Sequence, residues 1–123
     1  MSRTVLIAEA NTIFLEALVG ILSLWGFTVV GTTTKRAEVV ALVRKTHPDL
    51  LLLDCDLASN GVVGLSDLED LKDQLPELKI LLLGFQDATA RFLEQITRAG
   101  FHGFWNKFGE QAGFLKTLNL LFP

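Results

Sequence analysis

The side chains able to do chemistry in this 123-residue chain fall in three places. Glu9 follows the aliphatic run Val5-Leu6-Ile7-Ala8. Asp54 follows Leu50-Leu51-Leu52-Leu53, with Cys55 and Asp56 directly behind it. Lys107 closes the stretch Phe104-Trp105-Asn106-Lys107. Carboxylates and an ammonium of this kind suit phosphoryl chemistry. A carboxylate can attack phosphorus and form an acyl phosphate. A hard cation such as Mg²⁺ prefers oxygen ligands and offsets repulsion between that carboxylate and an incoming phosphoryl group. A lysine adds a point charge against the phosphoryl oxygens.

These groups lie far apart in sequence, so the fold must bring them together. Short apolar runs over 5–8, 29–30, 50–53, 80–83 and 101–105 read as strands. Three of them are apolar throughout, as in strands buried on both faces. Between them lie segments of helical spacing. In the first, Ile13, Phe14, Ala17, Leu18, Ile21 and Leu22 recur at three- and four-residue steps, with Asn11 or Thr12 as cap and Gly26 past the end. Further helices are expected over about 35–46, 65–74, 88–99 and 110–121, the fourth ending at Gly100.

Five strands alternating with five helices imply an α/β fold, a parallel sheet covered on both faces. Right-handed crossovers leave few arrangements, and the common doubly wound, flavodoxin-like order is 2-1-3-4-5. Its crevice lies at the carboxyl ends of strands 1 and 3. Glu9, Asp54, Asp56 and Lys107 would then share one rim with Gly84-Phe85 at the end of strand 4.

Composition narrows the function further. One domain over 1–123 is expected. A net charge of -3, a pI near 5.3 and scattered basic residues argue against nucleic-acid binding. The single cysteine, Cys55, allows no internal disulfide and no multi-cysteine metal site. The first apolar run is too short for a signal-peptide core, and no aliphatic stretch nears the roughly 20 residues of a membrane span. A soluble, cytoplasmic protein is the expectation. His47 and His102 read as surface or edge residues, Cys55 as a buried structural thiol, and Trp25, Trp105 and most of the phenylalanines as core.

Three stretches carry a family resemblance: Val5-Leu6-Ile7-Ala8-Glu9, Pro48-Asp49-Leu50-Leu51-Leu52-Leu53-Asp54, and Ala99-Gly100-Phe101-His102-Gly103-Phe104-Trp105-Asn106-Lys107. In order and separation they resemble the signatures of response-regulator receiver domains of two-component phosphorelays. The resemblance implies that Asp54 accepts a phosphoryl group from a sensor histidine kinase or phosphotransfer protein. It further implies that Lys107 contacts the phosphoryl oxygens and that Glu9, Asp54 and the main-chain carbonyl of Asp56 hold Mg²⁺. Phe104 takes the aromatic switch position. A C-terminal output domain or a homodimer would receive the signal.

Departures from the family pattern cluster around the acceptor. Ala10 stands where a second metal-binding carboxylate is usual, which weakens the Mg²⁺ site. Gly84 replaces the Ser or Thr that senses the phosphoryl group, and Phe85 follows where a small residue is usual. Ala58 replaces a proline, and the loop 59–64 reads as about two residues longer than usual. An alternative function therefore stands beside the first: a degenerate receiver acting as a phosphorylation-independent interaction module. A small enzyme on the same fold is the weakest reading, because no Gly-rich phosphate loop or nucleophile elbow is present.

Overall fold

The computed structural model describes residues 3–57 and 71–123. Strand β1 (Thr4–Ala8) leads to helix α1 (Thr12–Leu24), and β2 (Thr28–Thr33) leads through a 3-10 turn (Arg36–Glu38) to α2 (Val39–Thr46). Strand β3 (Leu50–Asp54) follows. Residues 71–74 are helical (α3), and then come β4 (Lys79–Gly84), α4 (Ala90–Arg98), β5 (Gly103–Asn106) and α5 (Gln111–Leu121). The sheet is parallel with order β2-β1-β3-β4-β5, the common doubly wound order expected from the alternation of apolar runs and amphipathic segments.

Alternation along each strand divides the core into two layers. Leu6, Ala8, Leu51, Leu53, Ile80 and Leu82 face α2, α3 and α4 through Val39, Val43, Leu71 and Ile96. Val5, Ile7, Leu50, Leu52, Leu81 and Leu83 face α1 and α5 through Leu15, Leu18, Leu22, Phe114 and Leu118. Every residue of β3 is buried, which explains its unbroken leucines.

Element ends follow local chemistry. The Asn11 side chain accepts a hydrogen bond from Phe14 N–H at 2.9 Å and caps α1, while Gly26 takes the positive φ past its end. Thr89 caps α4 in the same way, so that helix begins at Ala90 rather than at 88. His47 closes α2 with φ 46°, next to Pro48, which cannot continue the helix.

Other boundaries differ from the sequence reading. The second helix is broken near its start by the 3-10 turn. Strand β2 runs longer than 29–30 and carries a register shift: Val5 pairs with Val29, but Leu6 pairs with Gly31. A Cβ at Gly31 would lie 2.8 Å from Leu6 Cδ1, so glycine lets the strands close there. Strand β5 begins at Gly103 rather than 101. Phe101 N–H instead donates to Ile96 O behind α4, and His102 exchanges bonds with Ile80, donating its N–H to the carbonyl and accepting at Nδ1. His102 is thus half-buried at an edge, and burial with the Lys72 and Lys79 charges lowers its pKa. Of the third expected helix only 71–74 falls among the described residues; 65–70, Ala58 and the 59–64 loop lie outside them. Among the described residues no helix is long and apolar enough to cross a membrane.

At the amino edge of the sheet, Asp49 ties β1 to β3. Its Oδ2 accepts Thr4 N–H at 2.8 Å and Thr4 Oγ1 at 3.2 Å. Asp49→Ala is expected to cost about 1 kcal/mol in urea unfolding, since a charge-assisted bond is lost at a half-buried position. Wild-type stability in this variant would show that water replaces the carboxylate without loss.

Candidate functional site

The sheet's own ladder delivers the site residues. Beyond the regular strands, Glu9 N–H donates to Thr33 O at 3.0 Å, Cys55 N–H to Leu83 O at 2.7 Å, and Lys107 N–H to Gly84 O at 2.7 Å. Each bond carries the pairing one residue past a strand end and fixes where the next side chain leaves the backbone. Glu9, Asp54 and Lys107 thereby converge on the carboxyl edge as expected.

Their side chains are buried together, at 0 % exposure for Glu9, 2 % for Asp54 and 3 % for Lys107. Lys107 Nζ lies 2.5 Å from Glu9 Oε1 and 3.2 Å from Asp54 Oδ1. The closer contact is an ion pair; Glu9 Oε1 has no aligned hydrogen bond. Main-chain donors hold the remaining oxygens. Glu9 Oε2 accepts Asn11 N–H at 2.9 Å, Asp54 Oδ2 accepts Ala10 N–H at 3.0 Å, and Asp54 Oδ1 accepts Asp56 N–H at 3.0 Å.

These contacts drive the two acids apart. Burial pushes the Glu9 carboxyl up, and Asp54 pushes it the same way, against the Asn11 N–H and Lys107. Burial would raise Asp54 as well. There it is outweighed by Glu9, the N–H groups of Ala10 and Asp56, and the Lys107 charge, which together hold Asp54 below the ordinary aspartate range. Burial disfavours the Lys107 ammonium, yet Glu9 and Asp54 outweigh it and raise its pKa. The pair thus consists of an ionised Asp54 and a more easily protonated Glu9.

Glu9→Gln follows from this split. The folded Glu9 pKa is raised, so the stability from its protonated form is complete below the unfolded value near ~4.3 and is lost as pH rises through the folded value. A permanent amide keeps that stability. The variant is expected to melt at a higher temperature than wild type at pH 7, and the gain should vanish near ~4. A lower melting temperature at pH 7 would show that the Lys107 pairing outweighs the repulsion.

Above the charged cluster opens a cleft of about 380 Å³ lined by Ala10, Ile13, Phe14, Asp56 and Phe85, among others. Phe14 and Phe85 each place a ring centroid 5.1 Å from Lys107 Nζ, which favours the ammonium electrostatically. Phe85 in turn packs on Phe108 with centroids 4.7 Å apart. Phe85 and Phe108 are 54 % and 79 % exposed, so both stand outside the core that takes most of the phenylalanines, and Phe85 lies at the rim. Asp56 is exposed at the rim, and the Cys55 thiol is pushed up by burial, consistent with an unreactive group.

Phe104 meets Phe92 of α4 edge-on at 5.0 Å. At the end of β4, the space beside Gly84 is filled: a Cβ there would lie 2.3 Å from Gln86 Oε1 and 3.1 Å from Phe104 Cε2. Gln86 was not singled out from the sequence, and Phe14 and Asn11 were read there as a helix-face residue and a cap, not as parts of the site. Only the Asn11 cap signal marked the turn that carries Phe14.

A metal requires oxygens. Glu9 and Asp54 offer hard carboxylate donors on one wall, which fits Mg²⁺ in kind. The set is thin, since Ala10 supplies none and no three acidic, histidine or cysteine side chains converge among the described residues.

The doubly wound sheet thus carries an acidic pair and a lysine at its switch point. The response regulator receiver domain model matches residues 5–119, and the chain belongs to that family. It is 33% identical over 76 residues to the probable C4-dicarboxylate response regulator DctR of Halalkalibacterium halodurans, and 35% identical over 82 residues to a protein of Pseudomonas aeruginosa. It matches over 62% and 67% of its own length and spans only 30% and 38% of theirs. Among solved structures, a LuxR-family two-component response regulator from Aurantimonas superposes with a TM-score of 0.81 at 18% identity, covering 98% of this chain and 85% of that one. The isolated receiver domain of RcsB from Salmonella enterica, determined with the phosphomimetic BeF₃⁻, gives 0.79 at 21% identity, covering 98% and 88%. These likenesses show the fold.

Proposed function

We propose that this receiver domain accepts a phosphoryl group on Asp54 from a phosphohistidine of a sensor histidine kinase or phosphotransfer protein. The ionised Asp54 carboxylate, fixed by the Ala10 and Asp56 N–H groups and faced by Lys107 at 3.2 Å, carries this reading. A carboxylate oxygen attacks phosphorus as the phosphorus–nitrogen bond breaks, and the imidazole leaves with the electron pair. Lys107 lies between the two acids and can follow the charge onto the phosphoryl oxygens. Glu9, Asp54 and the main-chain carbonyl of Asp56 would hold Mg²⁺, weakly for want of a carboxylate at Ala10; the ion would offset the phosphoryl charge. The signal would leave through Phe104 and Phe92, where β5 meets α4, to an output domain or a second copy of the chain.

Incubation with Mg²⁺ and acetyl phosphate, followed by intact mass, tests this. A gain of one phosphoryl group in wild type and none in Asp54→Asn is expected. No gain in wild type would defeat the reading.

The filled space at Gly84 favours one alternative, a module whose contacts do not depend on phosphate. In that case Asp54→Ala would bind the partner as wild type does, with or without the phosphodonor.

A further inference from the structure

Gln86 occupies an unusual place for an exposed side chain. Its carboxamide folds back over the end of β4, where Oε1 takes the position a Cβ on residue 84 would need. Its Nε2 donates to Cys55 Sγ at 3.5 Å, on the residue directly after Asp54. Its main chain is tied to the residues flanking Lys107: Asn106 Nδ2 donates to Gln86 O at 3.0 Å, and Asn106 Oδ1 accepts Phe108 N–H at 2.8 Å. The carboxamide therefore bridges the ends of β3 and β4, and the main-chain carbonyl of the same residue ties it to the loop that carries Lys107. Any larger residue at 84 would evict it.

The partner it holds is a poor one. Sulfur is a weak acceptor, so the donor gives up little on leaving Cys55, and an amide nitrogen has a second N–H to offer. An anionic oxygen arriving on Asp54 is a far better acceptor.

Building on the phosphoacceptor reading of Asp54, we propose that the Gln86 carboxamide is a neutral hydrogen-bond donor to the phosphoryl group, acting from the space that Gly84 leaves open. Gly84 and Gln86 form one device: the missing side chain at 84 makes room for the amide at 86. Gln86 would stabilise the phosphorylated state and tie it, through Asn106, to the Lys107 loop.

The test titrates beryllofluoride into protein containing Mg²⁺, reading bound fluoride by ¹⁹F NMR, with Cys55 alkylation by iodoacetamide as a second readout. Gln86→Ala is expected to weaken beryllofluoride binding about tenfold, the effect of one hydrogen bond to a charged group. Gln86→Glu keeps the size but puts an acid beside the anion, and should weaken it more. Adding Gly84→Ser to Gln86→Ala, where the amide is gone and the Phe104 ring edge at 3.1 Å need give only slightly, should recover binding to within about threefold by restoring a donor. Without any phosphoryl mimic, Gln86→Ala should speed Cys55 alkylation by uncovering Sγ.

Wild-type binding in both Gln86 variants, no recovery in the double variant, or unchanged alkylation would each overturn the inference while leaving Asp54 as acceptor. Failure of wild type itself to take up beryllofluoride would defeat the acceptor reading, and this inference with it.

Discussion

Lys107→Met is expected to lower the unfolding free energy by about 3 kcal/mol at pH 7, because it strips from two buried carboxylates the one cation that pairs with them among the described residues. Methionine keeps much of the apolar stem between Phe14 and Phe85, so the loss belongs mainly to the charge. The deficit should depend on pH in a defined direction. Glu9 already has a raised pKa and, without the ammonium, takes a proton more readily still, which relieves the repulsion. The gap between variant and wild type should therefore narrow as pH falls from 7 toward 5. On the alkaline side it should stay constant, since the folded Lys107 pKa is raised and its contribution is lost only as pH climbs through that value. Urea titrations at several pH values measure this. A deficit below about 1 kcal/mol, or one indifferent to acid, would mean that solvent reaches the cluster.

Ala10→Asp is expected to raise Mg²⁺ affinity about tenfold by calorimetric titration, because a third carboxylate then joins Glu9 and Asp54. Ala10 is exposed, so the added charge is not desolvated in the way Glu9 is. In the absence of metal the same substitution should lower the melting temperature, since a third like charge faces the pair. Saturating Mg²⁺ should reverse that loss. An affinity within twofold of wild type would place residue 10 outside the ion's reach and leave the thin site unexplained by Ala10.

Much of this site was legible in the sequence. Buried parallel strands announce themselves as aliphatic runs, and the doubly wound order puts the residues that follow strands 1, 3 and 5 on one rim; Glu9, Asp54 and Lys107 follow from those two readings together. The extent of β2 was less visible, because Thr28-Val29-Val30-Gly31-Thr32-Thr33 mixes a glycine and threonines into a strand whose length is set by pairing with β1. Phe101 and His102 read as strand by composition, yet their hydrogen bonds go to α4 and β4. The exposure of Phe85 and Phe108, the approach of Phe14 to Lys107 and the fold-back of Gln86 depend on contacts between distant segments. A local pattern carries no trace of these. Gly84 shows the limit most clearly: from sequence it is a lost hydroxyl, and in three dimensions it is a place taken by other side chains.

Strand β5 also supplies a built-in optical gauge. Phe104 and Trp105 point to opposite sides of the sheet, the first toward Phe92 and the second stacked on Phe114 of α5 at 4.5 Å. Trp25 leans on the same Phe114 ring at 5.6 Å, and the chain contains no tyrosine. All indole emission therefore originates around one phenylalanine on the face away from α4. Rearrangement confined to the Phe104 side should leave the emission spectrum unmoved, whereas any shift of β5 as a whole would alter both indoles' surroundings at once. The molecule's own fluorescence can distinguish a local ring movement from a displacement of the strand.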